Sequence, residues 1–367
     1  MNGRRLGVLL LAAVALVVFA TWLASRRHLE RAIVAGDLVL PGLEPSVNAV
    51  TAVRLRKAGD VHTTLEKGGD AWSVAERGWP ADLPKVRKLL LNLGALNIVE
   101  EKTRLPARYP DLGVEDVSAP KASGTRIEVV TPQRTWALIV GKSSSGKSGY
   151  VRLADAQQSL LAAPLLTVDA DPKTWLEQTL VDLPEGRVQQ VEEKPAQGPA
   201  FSAARQKKED SNFAVSPLPK GRVLTGPAAA EPMAGGLGAL TLDDVHKAGA
   251  AAAAAARAVY RTFDGLEVEV AGRKDGAHSM VVITARSTTP ATAAEAQKLN
   301  TRLGGWEFDI PDYKYSVIFT PLEELLQKPP EPAKPKEKKP AGPQSAPAKT
   351  TGKSAKAAGA DAAAPAK

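Results

Sequence analysis

VTAVRLRKAGDVHTTLEKGGDAWSV, residues 50–74, is the stretch on which the fold turns. Apolar and polar residues alternate in three short runs, Val50–Arg56, His62–Glu66 and Ala71–Val74. A period of two sends alternate side chains to opposite faces of an extended chain, so each run reads as a half-buried strand. Lys57-Ala-Gly-Asp60 and Lys67-Gly-Gly-Asp70, between them, carry the residues that close hairpins. Trp72 and Val74 mark the core face of the third strand, and the expectation is a small antiparallel sheet.

Downstream, Pro80-Ala-Asp82-Leu-Pro84 opens a helix, with Asp82 as N-cap and Pro84 tolerated in the first turn. Val86, Leu89, Leu90 and Leu93 fall at i, i+3, i+4 and i+7 and form its apolar stripe. Asn97–Glu101 returns as a strand. Further strands come after the Arg108–Val114 loop, at Arg126–Val130, Arg134–Val140 and Tyr150–Leu153. The apolar Leu165–Val168 and a short helix over Thr174–Leu180, started by Asp171-Pro172, close this half. Upstream, Ile33–Pro45 reads as a spacer too broken by Gly and Pro for regular structure.

The second half repeats the order. Val188–Glu192, Ala200–Arg205 and Asn212–Val215 align with the first three strands, Phe213-Ala-Val215 standing where Trp72-Ser-Val74 stands. A helix is expected from about Leu242 to Phe263, opened by Thr241-x-x-Asp244 and containing the alanines 250–256, with apolar contacts from Val245, Val259, Tyr260 and Phe263. Leu266–Val270 and Met280–Thr284 are its succeeding strands. Trp306, Tyr313 and Tyr315 read as core-facing strand residues, and Pro321–Leu326 echoes Thr174–Leu180. The fold class is α+β: two tandem modules, residues 50–183 and 184–327, each an antiparallel sheet with a helix, the second interrupted by a Gly/Pro/Ala-rich insertion at 217–238.

The Trp-x-Val strand, the Asp/Pro-opened Leu-rich helix, Arg108-Tyr-Pro-Asp-Leu-Gly-Val114, Gly149-Tyr-Val-Arg152 and the closing Trp306…Ile310-Pro-Asp-Tyr-Lys314 together resemble bacterial domain-of-unknown-function family 4340. The resemblance covers roughly residues 45 to 327. It implies a single-pass envelope protein found alongside ABC-type transport components of the gliding-motility auxiliary kind. It supplies no catalytic residues. The insertion and the alanine run depart from the family pattern.

Leu6–Ala24 is nineteen residues without a charge, flanked by Arg4, Arg5, Arg26 and Arg27. As a helix rising about 1.5 Å per residue it matches the roughly 30 Å core of a bilayer. The run exceeds a signal-peptide core, and Trp22 and Leu23 spoil a small-x-small cleavage site, so residues 1–31 read as an uncleaved transmembrane anchor contacting lipid through 6–24. Residues 32–49 read as a linker. Flanking charges are balanced and do not set orientation. Proximity to the N-terminus makes the segment a signal-anchor in the inner membrane, with the C-terminal region extracytoplasmic. The absence of Cys suits that compartment and any other.

The net charge of +8 belongs to the ends: residues 1–31 carry +4 and residues 328–367 carry +6, leaving −2 for residues 32–327. The middle therefore lacks a phosphate-tracking surface, and no nucleic acid is expected. The Lys/Ala/Pro-rich tail, 328–367, has too little apolar surface to fold and reads as disordered, with contact to anionic lipid or cell-wall polymer as its one specific role.

Gly141-Lys-Ser-Ser-Ser-Gly-Lys147-Ser148 is a literal GxxxxGKS, preceded by a strand-like Trp136–Val140, and Leu165–Asp169 mimics a Walker B. The adjoining Gly149–Leu153 has the pattern of a strand rather than a helix, so the segment reads as a hairpin loop. His28, His62, His246 and His278 are scattered, and Glu100-Glu101, Glu192-Glu193 and Asp243-Asp244 are adjacent pairs, the last placed to complement a helix N-terminus. No catalytic, cofactor-binding or metal residue is assigned, and no cofactor is expected. The leading expectation is a non-enzymatic accessory subunit binding a protein partner in an ABC-type transport or envelope complex. The alternatives are an enzyme with a nucleotide site at 141–148 and a structural tether acting through the basic tail.

Overall fold

The computed structural model describes residues 35–249 and 255–328. The expected anchor at 6–24, the start of the linker, most of the alanine run and the tail from 329 lie outside the described residues. Among the described residues no helix is long and apolar enough to cross a membrane.

The alternating stretch forms β1 (Ala52–Arg56), β2 (His62–Gly68) and β3 (Ala71–Val74). Val53 stands opposite both Leu65 and Val129, and Leu65 opposite Val74, so one apolar row crosses four strands on the buried face. Arg54 and Arg56 face water on the other. A two-residue strand, β4 (Trp79–Pro80), leads into helix α1 (Leu83–Gly94). The Asp82 side chain accepts from the Lys85 N–H at 3.0 Å, and Val86, Leu89, Leu90 and Leu93 are buried. Then come β5 (Asn97–Glu101), a short helix α2 (Tyr109–Leu112), β6 (Thr125–Val130), β7 (Thr135–Ser145), β8 (Ser148–Leu153) and β9 (Ser159–Ala163). The sheet runs β4-β3-β2-β1-β6-β7-β8-β9-β5, antiparallel throughout.

The second sheet uses β11 (Val188–Lys194), β12 (Phe201–Ala204), β13 (Ala214–Ser216), β15 (Asp244–Lys247), β16 (Ala256–Thr262), β17 (Leu266–Asp275), β18 (His278–Ser287) and β19 (Trp306–Asp309). Its order is β13-β12-β11-β16-β17-β18-β19-β15, which reproduces β3-β2-β1-β6-β7-β8-β9-β5 position for position. A separate pair, β10 (Thr179–Val181) with β14 (Leu240–Thr241), lies outside both sheets.

Several expectations change. The helix over Leu242–Phe263 does not form: β15 and β16 occupy its two ends. Ala256-Arg-Ala-Val-Tyr-Arg-Thr262 alternates, burying Ala256, Ala258, Tyr260 and Thr262, and this pairing between two strands outweighs alanine's helix propensity. Asp243 and Asp244 therefore open a strand. The positional counterpart of α1 is α3 (Glu231–Ala234), inside the 217–238 stretch, where Ala230, Met233, Ala234 and Leu237 are buried. The longer helix α4 (Ala293–Leu303) joins β18 to β19 instead. Tyr313 and Tyr315 sit on helix α5 (Asp312–Ile318), succeeded by α6 (Leu322–Leu325); Tyr315 is buried but Tyr313 is 65% exposed. Thr174–Leu180 is a 3-10 turn, Pro172–Trp175, running into β10. Leu165–Val168 is irregular, and the strand lies just before it, at β9. The stretch read as a broken spacer buries Val39, Leu40 and Leu43 and continues into a 3-10 helix, Glu44–Ala49.

The two sheets share one hydrophobic cluster. Trp79 meets Trp306 and Phe308 edge-on at centroid distances of 5.4 and 5.2 Å. Beside it, Arg77 donates to both carboxylate oxygens of the buried Asp244, at 2.7 and 3.1 Å, and Lys173 adds a third contact at 3.1 Å. Because α1 is held by its buried stripe, Leu93→Ala is expected to cost about 2–5 kcal/mol in urea unfolding. Leu91→Ala, on the same helix but 64% exposed, is expected to change stability by less than about 0.5 kcal/mol.

Candidate functional site

Two of the segments that carry the family resemblance meet on the outer face of the first sheet. Pro106–Arg108 and α2 fold Arg108–Val114 into two tight turns, ended by Gly113 at φ 72°, where a side chain would be strained. Tyr109, Val114 and Ile139 form a small buried cluster, with Leu112 and Tyr150 packed on it. Arg152, buried in β8, ties it down: its Nε donates to the Val114 carbonyl at 2.9 Å, one terminal nitrogen to Ala154 and Ala156, and its guanidinium stacks 4.8 Å from the Tyr109 ring. The Tyr109 hydroxyl donates to the Gln157 carbonyl at 2.5 Å. Arg152 belongs to the Gly149–Arg152 motif, but its buried role is not legible by pattern, since an Arg in a half-buried strand is ordinarily a solvent-side residue.

The P-loop-like segment is the β7–β8 hairpin. Ser145 pairs with Ser148 across Gly146-Lys147, and a strand stands where a phosphate-binding loop requires a helix. Gly141 is explained by packing: a Cβ there would overlap the Leu112 carbonyl oxygen. Lys142 donates to the carbonyls of Pro110 and Asp111, at 2.9 and 3.3 Å. Gly146 faces open space.

Between this covered face and the edge of the sheet lies a groove of about 560 Å³, lined by Glu100, Lys102, Leu105, Arg108, Asp111 and Leu112 among others. β5 is the edge strand. Residues 36–39 cover its first half, with Leu38 bridged to Asn97 and Gly36 and Asp37 bonded to Ile98. Beyond Ile98 no strand pairs with its outer side among the described residues. Val99, 46% exposed, and Leu105, 64% exposed, flank this open section. An unpaired edge beside apolar side chains is a surface on which another chain can add a strand.

Titratable groups elsewhere do not assemble a reaction centre. No group of three or more His, Asp or Glu able to hold a metal occurs among the described residues. His62 is exposed beside Asp60, His246 lies 3.8 Å from Asp244, and His278 bonds Asp309 at 2.5 Å; His28 lies outside the described residues. Burial and the neighbouring Asp309 raise Asp243 above the usual carboxylate range. Burial opposes ionisation of Asp244, but hydrogen bonds from Arg77, Val245 and Lys173 hold it below that range. Glu193 is different: it is 2% exposed, neither oxygen has a partner, and burial pushes it up to about 9. Its side chain belongs to the inward row of β11, opposite Phe201 and Ala258, and its charge would also raise Tyr260 and Tyr315. Adjacent residues of a strand face opposite sides, so Glu192 reaches Arg261 outside while Glu193 turns inward.

A two-sheet antiparallel α+β protein with a closed hairpin and an open edge is the class that these features define. The model of the domain-of-unknown-function family DUF4340 matches residues 72–259, just over half of the chain, and the chain belongs to that family. No curated protein and no solved structure matches it.

Because Gly141 is required sterically and Gly146 is not, Gly141→Ala is expected to lower the unfolding midpoint clearly and Gly146→Ala to leave it in place. A phosphate-binding loop would make Gly146 the sensitive position. The Glu193 carboxyl takes up a proton on folding, so its contribution to stability is present at low pH and is lost as pH rises from about 4.5 towards about 9. Urea unfolding at several pH values is expected to show a decline approaching about 1.4 kcal/mol per pH unit from this group, absent in Glu193→Gln.

Proposed function

We propose that this protein is a membrane-anchored, non-enzymatic subunit whose described region binds a protein partner, an ABC-type transport or envelope complex in the same membrane. The observation that carries the reading is the open half of β5 with its flanking groove and exposed Val99 and Leu105. A partner strand added there gains main-chain hydrogen bonds from the edge, and its side chains take their selectivity from the groove. In this reading the apolar run 6–24 is the anchor and the described region is extracytoplasmic. The transport assignment rests on the family resemblance.

The test is a photocrosslinking amino acid placed at Val99 or at Leu105 in cells, with Glu66, on the solvent face of β2, as the control position. The expected product is one discrete adduct from both Val99 and Leu105, absent from the control and containing a transport-complex subunit by mass spectrometry. Adducts indistinguishable from the control would overturn the proposal.

A further inference from the structure

Helix α1 carries Lys85, Lys88 and Asn92 at i, i+3 and i+7, which places them along one face. That face does not look into the core. It looks onto the irregular segment Leu165–Thr167, and together they enclose a cavity of about 210 Å³. Its polar lining residues are Lys85, Lys88, Asn92 and Thr167, and no acidic residue lines it. Leu89 of α1, with Leu165, Leu166 and Trp175, supplies the apolar lining.

One of the two charges is held in place and the other, on Lys88, is exposed. Lys85 donates to the Thr174 carbonyl and lies 4.8 Å over the Trp175 ring. It stands in the first turn of the helix, which contains no acidic residue, so its charge works against the helix dipole instead of complementing it. Lys88 forms no ion pair among the described residues. Nearby carboxylates are committed elsewhere: Asp82 caps α1, Asp171 accepts from the Lys173 N–H, and Asp169 faces Lys57.

We propose that this cavity binds a phosphomonoester bearing a short apolar group. Two neighbouring ammonium charges match a dianion better than a single carboxylate, and lysine serves phosphate as a point charge without requiring a planar fork. Asn92 and Thr167 offer hydrogen bonds to the remaining oxygens, while the leucines and Trp175 exclude water from an alkyl or acyl stem. The volume admits a phosphate and a few carbons, on the order of seven waters at about 30 Å³ each. The ester can come from a soluble metabolite or from a lipid headgroup. This site is separate from the β5 groove, and its existence does not depend on the partner reading.

The test is calorimetric titration of the full chain in non-ionic detergent with hexyl phosphate. Saturable one-to-one binding is expected, about tenfold tighter than inorganic phosphate and weakened about tenfold or more by Lys88→Met. Lys88 is an exposed residue with no structural contact to lose, whereas Lys85→Met also removes the bond to Thr174, so Lys88→Met is the deciding variant. Lys147→Met, in the hairpin, is expected to bind as the wild type does. Absence of saturable binding, or a Lys88→Met variant that binds hexyl phosphate unchanged, overturns the proposal. Competition by dioctanoyl phosphatidic acid supports it with a lipid headgroup as the ligand; binding of hexyl phosphate without that competition supports it with a soluble ester.

Discussion

Trp79 joins the two halves of this protein. Its indole is fully buried, met edge-on by Trp306 and Phe308 of the second sheet, and its N–H is satisfied by the Glu177 carbonyl at 2.9 Å. Such aromatic pairs add about 0.5–1.5 kcal/mol each to the area they bury. Arg77, two residues earlier, reaches Asp244, and Gly78 between them turns at φ 66°, a conformation that favours glycine. A single turn thus sets both an apolar and an ionic contact into the other sheet. The β4 end of one sheet and the β15–β19 end of the other are closed by it, which leaves β5 and β13 as the outward edges.

Close backbone approach governs the covered face of the first sheet in the same way. Gly141 and Gly124 lie where any side chain would collide with the carbonyl oxygens of Leu112 and Gly113, respectively. Glycine in the GxxxxGKS string therefore serves the docking of Arg108–Val114 onto β6 and β7. The same residue type that would let a backbone approach a phosphate here lets it approach another backbone. The buried Arg152 completes the arrangement by satisfying three carbonyls that α2 and the β8–β9 turn leave unpaired.

Charge is sorted by face. On the outer surfaces, Arg126 pairs with Glu128 in the first sheet, and Arg257 with Glu269 and Arg261 with Glu267 in the second. Exposed pairs of this kind contribute little each, and they keep the wet faces soluble. Glu193 differs from the buried and paired Asp244: it is an acid on the inward row with neither oxygen bonded. Its interior carries a neutral carboxyl, because an unpaired charge there would cost far more than the proton it takes up.

Elements whose signals are complete within a few residues were legible in the chain alone. The alternation of 50–74, the Asp82 cap and the Val86–Leu93 stripe specify strands and a helix before any long-range contact forms, and the hairpin at 141–148 is implied by the strand on its far side. The repeated strand order was also legible, because Trp72-Ser-Val74 and Phe213-Ala-Val215 mark equivalent positions. Long-range packing was needed to make Ala256–Thr262 a strand, since its helix propensity yields to partners on both sides, residues 188–194 and 266–275. Packing likewise brought Val39, Leu40 and Leu43 into the core, left β5 open, and set Lys85 and Lys88 around one cavity with Leu165–Thr167. Each depends on residues far apart in the chain, and neither propensity nor period carries information about which distant surface an element will meet.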